Sequence, residues 1–412
     1  MMKTILLKYL MSLTFIGIIF MFDIHIAAAH GEKNLEPFVR MRSIQWYDVE
    51  WSKQKININE EVVITGKFHV AEDWPVSLPK PNAAFLNIAT PGPVLIRTER
   101  YLNGKPWVNS SALQLGGDYD FKIVLKGRVP GRYHIHPFFN LENAGQVMGP
   151  GGWLEISGTA SDFSNELSTI NGEIIDMESY GLTNGVLWHL FWGVLATAWL
   201  LWWLRRPLFI PRYRMVEAGM EDELVTPQDL NISKILLVSV PIIVLTANQI
   251  TANQHPNTIP LQTGIDQILP LPAQVNTEAV VIDTVKTELN VSNRSLKMRV
   301  KIRNNTDKPI EIGEFTTANV RFINPNKSDQ GQDLNSPLVA SEGLKLSDNT
   351  PIKPGETREL TLTAQDALWE SQSLLGLIND ADSHIGGLLF LYDSNNKRYI
   401  TSIAAATVPI FN

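Results

Sequence analysis

Hydrophobic and polar positions alternate with period two through two long stretches of the chain, and between them lie two segments that are apolar almost throughout. In the first stretch, residues 30–160, the runs "FVRMRSIQWYDVEW", "EEVVITGKFHV", "AAFLNIA", "PVLIRTERYL", "YDFKIVLKG", "GRYHIHPFFNL" and "GWLEISG" each alternate or carry β-branched residues. Residues i and i+2 of a strand share a face, so the pattern predicts strands with one side in a core. Turn-forming pieces such as "NINE", "TPGP", "LNGKP" and "LGGD" separate them, which predicts a sandwich or barrel. "MGPGGW" at 148–153 reads as a glycine turn between strands, because it lacks the strand-to-helix setting of a phosphate loop.

The second alternating stretch lies within residues 251–412. After the turn-rich linker "HPNTIPLQTG", strands resume with "AVVIDTVKTEL", "SLKMRVKIRNN", "PIEIGEFTTANVRFIN", "TRELTLTA", "IGGLLFLYD" and "RYITSIAA", predicting a second β-sandwich. One helical insert is expected there. Asp366 is placed to cap it, and Leu368, Leu375 and Ile378 share one face.

The apolar segments predict two membrane-spanning helices. Residues 186–204, "VLWHLFWGVLATAWLLWWL", hold no charge over a length that suffices to cross a bilayer. Arg205, Arg206, Arg212 and Arg214 follow at once and place that end in the cytoplasm. Residues 232–250, "ISKILLVSVPIIVLTANQI", read as the returning span, with Pro241 tolerated if neighbours satisfy the freed carbonyl. Residues 161–185 form a polar connector into the first span, and 205–231 a cytoplasmic loop. Residues 1–29 read as a cleaved signal peptide: Lys3 and Lys8, an apolar run from Leu10 to Phe22, then Ala27-Ala28-Ala29 as the cleavage site. The mature chain then starts at His30, with both β domains on the periplasmic or lumenal side.

Composition narrows the chemistry. There are 42 acidic against 35 basic residues and a formal net charge of −7, without a long basic run, which argues against a nucleic-acid partner. Cysteine is absent, which removes disulfides, thiolate metal sites, Cys nucleophiles, iron–sulfur clusters and blue copper together. No Ser-His-Asp arrangement can be assembled.

Eight histidines remain, and two of them, His134 and His136, are one residue apart in a predicted strand. Their side chains share a face about 6.5–7 Å apart at Cα, close enough to meet on one ion with bonds of about 2 Å, while Ile135 turns to the opposite face. A His-x-His pair is also found as two unrelated structural side chains. Leader cleavage adds His30, whose α-amino nitrogen and imidazole form a ready chelate. Four nitrogen donors without sulfur suit Cu(II), so His30, His134 and His136 are the candidate copper ligands. His69 is a further candidate, without a visible partner. His189, near the outer end of the first span, is assigned an interface role, and the far-apart His255 and His384 no metal.

The blocks "HGEKNLEPFVRMRSIQWYDVEWS", "ITGKFHVAEDWP", "VPGRYHIHPFFN", "RRPLFIPR", "IPLQTG", "GEFTTANVRFIN", "DALWE" and "GGLLFLYD" give the chain its family resemblance. It resembles, over essentially the whole mature length, the B subunit of the copper membrane monooxygenases, which include particulate methane monooxygenase and ammonia monooxygenase. The resemblance implies a mainly β protein of two cupredoxin-like β-sandwich domains joined by two transmembrane α-helices. It implies assembly with two further membrane subunits, A and C, as a trimer of heterotrimers. The family's copper ligands in this subunit match His30, His134 and His136. Some members hold another copper between two histidines, of which one matches His69 and the other falls at Gln45. The implied reaction inserts one oxygen atom of O2 into methane, giving methanol, or into ammonia, giving hydroxylamine, and nothing in this chain distinguishes the two. No residue is assigned the oxidation itself, because a partner subunit of the family also carries copper. The other classes considered are a periplasmic copper carrier, a secreted polysaccharide oxygenase, an oxidase accessory subunit, and a membrane-anchored copper-binding protein without catalytic activity of its own.

Overall fold

The computed structural model describes residues 35–169, 172–254, 264–276, 278–327 and 336–411. The leader, His30, His255 and most of the "HPNTIPLQTG" linker thus lie outside the described residues. The chain is mainly β and divides into two compact units, one built from the residues up to Phe163 and from Gly264 onward, the other from Ser164–Thr263.

The first sandwich is built from β1 (Ile44–Trp51), β2 (Lys55–Asn57), β3 (Glu61–Val70), β4 (Ala84–Ala89), β5 (Leu95–Leu102), β6 (Lys105–Pro106), β7 (Ser110–Ala112), β8 (Asp118–Gly127), β9 (Gly131–Leu141), β10 (Gly145–Met148) and β11 (Gly152–Ser157). One sheet runs β1-β3-β8-β5-β6; the other runs β7-β4-β9-β11-β2, with β10 pairing on β9. Alternation puts Val62, Ile64, Phe68, Ile123 and Leu125 inward, and Trp46 sits among them 5.1 to 5.8 Å from the rings of Phe68, Phe121 and Phe139. Aromatic side chains of this size bury about 150–250 Å² each and dominate a core of this kind.

The second unit holds the hairpin β12 (Glu166–Ser168) and β13 (Ile174–Asp176), then α1 (Leu182–Leu204), α2 (Phe209–Glu217) and α3 (Pro227–Gln254). Helices α1 and α3 are long and apolar enough to cross a membrane. Each is longer than its apolar run, and the start of α3 has a local cause. Pro227 stands at the first position of α3, and Thr226 and Asp229 cap each other: the Thr226 amide donates to Asp229 Oδ2 (2.8 Å) and the Asp229 amide to Thr226 Oγ1 (3.3 Å). The other carboxylate oxygen of Asp229 accepts from Trp202 Nε1 (2.6 Å) and Arg206 Nη2 (3.0 Å), which ties the end of α1 to the start of α3.

After that unit the chain first returns to the sandwich it left. β14 (Ile265–Gln267) pairs in parallel with β7, Ile265 opposite Ser110, and so extends the sheet beyond that strand. The second sandwich follows with β15 (Val280–Asn290), β16 (Ser295–Asn304), β17 (Ile310–Thr317), β18 (Val320–Ile323), β19 (Val339–Ala340), β20 (Leu344–Leu346), β21 (Thr357–Gln365), β22 (His384–Asp393), β23 (Arg398–Ala406) and β24 (Val408–Ile410). Its sheets run β20-β21-β16-β15-β24 and β19-β18-β17-β22-β23. β16 alternates without a break: Leu296, Met298, Val300 and Ile302 are buried, and the basic residues between them are exposed. The helical insert is broken in two. α4 (Leu368–Ser371) has its first amide held by Asp366 Oδ1 (2.9 Å), Ser373 turns left-handed at φ 55°, and a 3-10 turn covers Leu374–Asn379. Fully buried Trp369, whose Nε1 donates to the Ala364 carbonyl (3.1 Å), pins the first piece, and Leu368, Leu375 and Ile378 pack on the core.

The two sandwiches share one unit because three sorts of contact join them. Tyr47 of β1 is buried with Val275, Leu388, Phe390, Tyr392 and Ile400. Buried Arg42 bridges Asp73 (2.8 Å) and Asp382 (2.6 Å). The 3-10 turn Pro37–Arg42, which precedes β1, packs Met41 and Phe38 into the core of the second sandwich, where a Cβ on Gly386 would come within 2.7 Å of the Met41 carbonyl.

Candidate metal centre

His134 and His136 stand on β9 with Arg132 in an i, i+2, i+4 row, and Ile135 between them is fully buried in the first core. The sequence puts them there by alternation: one apolar residue anchored inward forces both neighbours outward. His136 Nε2 lies 3.0 Å from His134 Nδ1, with the rings nearly perpendicular. Two nitrogens at that spacing, each about 2 Å from one ion, subtend roughly a right angle at it. The donor set therefore fits two neighbouring positions on a Cu(II) with nitrogen ligands.

The turn between β10 and β11 orients the pair. The other ring nitrogen of His136, Nδ1, is 2.9 Å from the Gly149 carbonyl, which can only accept. Nδ1 thus carries the proton and Nε2 presents its lone pair toward His134, the arrangement that a carbonyl partner imposes on metal-binding imidazoles. Burial holds the His136 imidazole below its ordinary pKa, opposed by the Gly149 hydrogen bond and aided by His134 and Arg40; burial also lowers His134. Both shifts favour the neutral ring, the form that ligation requires. Gly151 closes the other side, and a Cβ there would lie 2.4 Å from His136 Cε1. Trp153 of β11 is the register partner of His134, its ring 4.9 Å away. The glycine turn and Trp153 were invisible as site residues in the sequence; the only signal was the length of "MGPGGW", which brings the chain straight back beside the histidines. A cleft of about 1140 Å³ between the sandwiches reaches the same turn, lined by Arg132, Gly151, Gly152 and Trp153 on one side and by Glu314 and Arg398 on the other.

The remaining candidates lie apart from the pair. Gln45 and His69 are directly opposite each other on β1 and β3, and Asp118 follows in register on β8. His69 Nδ1 is 2.9 Å from Asp118 Oδ1, while the Gln45 amide donates to the Met41 carbonyl (2.7 Å) and leaves its oxygen buried without a hydrogen-bond partner. Asp118 Oδ2 accepts from the backbone amides of Gln274 (2.6 Å) and Val275 (2.9 Å). His189 Nδ1 lies 2.7 Å from the Gly185 carbonyl of its own helix. His384 is 3.2 Å from Asp382, whose carboxylate also serves Arg42. Among the described residues no group of three or more histidine and carboxylate side chains is placed to hold a metal ion.

A family model for the monooxygenase B-subunit protein matches residues 31–411. The particulate methane monooxygenase alpha subunit of Methylococcus capsulatus is 42% identical over 385 residues, covering 93% of both chains. Among solved structures, the cupredoxin domain of amoB from Nitrosocaldus yellowstonii aligns with 32% of this chain and 98% of its own at 16% identity and a TM-score of 0.26. The N-terminal periplasmic domain of ScsB from Proteus mirabilis aligns with 89% of this chain and 99% of its own at 8% identity and a TM-score of 0.18. At these TM-scores neither likeness bears on the fold.

Proposed function

Because the chain belongs to the B-subunit family of monooxygenases, we propose that it is the copper-binding component of a membrane-bound monooxygenase, with His30, His134 and His136 as ligands. The observation that carries this reading is the 3.0 Å approach of His136 Nε2 to His134 Nδ1, with the far nitrogen of His136 tied to a carbonyl. His30 would join them from Leu35, the first described residue. The Leu35 amide donates to the Gln146 carbonyl (3.1 Å), and Gln146 faces Asn140 on β9, four residues or about 13 Å along the strand from His136. The five residues from His30 to Leu35 span up to about 17 Å.

Copper held there would supply the one-electron chemistry that O2 needs to react with a closed-shell substrate. The conversion places one oxygen atom in methane, giving methanol, or in ammonia, giving hydroxylamine; the other leaves as water at the expense of two electrons and two protons. The chain's own residues hold neutral imidazoles in place: Ile135 fixes the strand, Gly149 fixes the tautomer of His136, and removal of the leader frees the His30 amine. The partners are two further membrane subunits, in a trimer of heterotrimers. A second reading is an accessory copper protein without catalytic activity of its own, since a partner subunit of the family that the chain resembles also carries copper.

Inserting one Ala between Ala29 and His30, with cleavage still after Ala29, is expected to lower copper at this site steeply, as is His134→Ala. Metal analysis of the terminus-verified complex checks it, and unchanged copper would remove the amine from the ligand set. Parallel assays of methanol from methane and of hydroxylamine or nitrite from ammonia assign the substrate. Turnover that survives loss of this copper decides for the accessory reading. For topology, both sandwiches are proposed outside and residues 205–231 in the cytoplasm. Reporter fusions at Asp222 and Asn305 should then report opposite sides; equal exposure to the periplasm refutes the assignment.

A further inference from the structure

Resting on the copper reading above, we propose that Trp153 is a positioning residue for His134, fixing the plane of that imidazole so that its Nδ1 meets His136. His134 is exposed at the surface of the sheet, and the second torsion of a histidine has broad minima, so the strand alone leaves the ring free to swing. Two contacts restrict it. One is the 3.0 Å approach to His136; the other is Trp153, directly across the β9–β11 ladder, whose ring lies 4.9 Å from that of His134 at 46°. Trp153 is itself held from the side, because the Arg132 guanidinium, two residues before His134 on the same face, lies 4.6 Å from its ring.

The core gives no other reason for a tryptophan here. Its neighbours Leu154 and Ile156 are 0% and 2% exposed and fill the inner face of β11, whereas Trp153 is 50% exposed. Half of a large aromatic is thus in solvent, and its described ring contacts are with His134 and Arg132. A side chain in that position restricts the motion of its neighbour more than it adds to the core. A ring that no longer swings loses less freedom when it ligates, so the effect belongs in affinity and in the geometry that the metal senses.

The test uses the full-length chain in its membrane complex, stripped of copper and reloaded with Cu(II), with His134→Ala as the background that is subtracted. Trp153→Ala is expected to weaken Cu(II) at this site roughly two- to tenfold, the range of an aromatic pair. It is also expected to change the copper hyperfine splitting of the difference EPR signal at saturation. Trp153→Phe, which keeps a ring against His134, should restore both. Unchanged affinity and signal in Trp153→Ala overturn the proposal, and so does a Phe variant that behaves like Ala, since the loss then reflects damage to the turn. A His134→Ala complex that takes up as much copper as wild type sinks the copper reading itself, a result separate from either.

Discussion

Gly151→Ala is expected to strip the histidine pair of copper while leaving both sandwiches folded. The added methyl would lie 2.4 Å from His136 Cε1 and 2.7 Å from both ring nitrogens, well inside van der Waals contact. The ring is half-buried and able to move, so it yields, and in moving it gives up the 2.9 Å bond to Gly149 that orients Nε2. Metal–ligand distances fall within about 0.2 Å of their normal values, and the displacement is several times that. Loss of an orienting partner alone weakens metal binding about 10–100-fold, and the clash should cost at least as much. Gly151 is not among the left-handed glycines, so alanine meets no backbone strain there. His136→Ala should lose as much copper or more. Copper per complex, read beside the thermal midpoint, checks both: full copper in Gly151→Ala means that His136 is not a ligand.

The second large effect falls on stability and not on metal. Asp118→Ala is expected to cost about 3–5 kcal/mol, because it leaves three hydrogen-bond donors unmatched at about 1–3 kcal/mol each where they are buried. Asp118 is 1% exposed, and its loss orphans the amides of Gln274 and Val275 together with His69 Nδ1. His69→Ala should cost less, about 1–3 kcal/mol, and keep nearly all the copper, because Gln45 stands opposite it with an amide turned to Met41. Unfolding midpoints and limited proteolysis of the segment 264–276 report the first effect, and metal analysis the second. Loss of a full copper equivalent in His69→Ala would make His69 a ligand, and a midpoint unchanged in Asp118→Ala would mean that its bonds to Gln274 and Val275 do not hold the fold together.

The strands were legible wherever one face is buried and the other wet. β16 and β9 are examples, and on β9 the same alternation already placed His134 and His136 side by side. What stayed hidden depends on contacts distant in sequence. Met41 reads as part of the first β stretch yet fills the second core, since a 3-10 turn has no periodicity long enough to reveal its partner. β14 is three residues long, too short for any pattern, and its place beside β7 is set by pairing alone. The helical insert is broken because Trp369 is buried and Ser373 is left-handed, and the spacing of Leu368, Leu375 and Ile378 records neither. Gly151 and Trp153 belong to the site only because a turn returns the chain beside β9, and a glycine in a sequence does not say what approaches it.

The seating of Met41 and Phe38 also orders events during synthesis. A ribosome delivers the first sandwich early, but Leu374 and Leu377, against which the 3-10 turn packs, emerge only near the end of the chain. At about 5–20 residues per second the wait is tens of seconds. Through that interval β9 can present its histidines, and the contacts of Leu35 with Gln146 and of Arg42 with Asp73 can form, while Phe38 and Met41 have no second core to enter. A chain cut short before the 3-10 turn Leu374–Asn379 would therefore leave Phe38 and Met41 uncovered beside an otherwise complete first sandwich, so that burial of those two side chains reports a chain translated past Asn379.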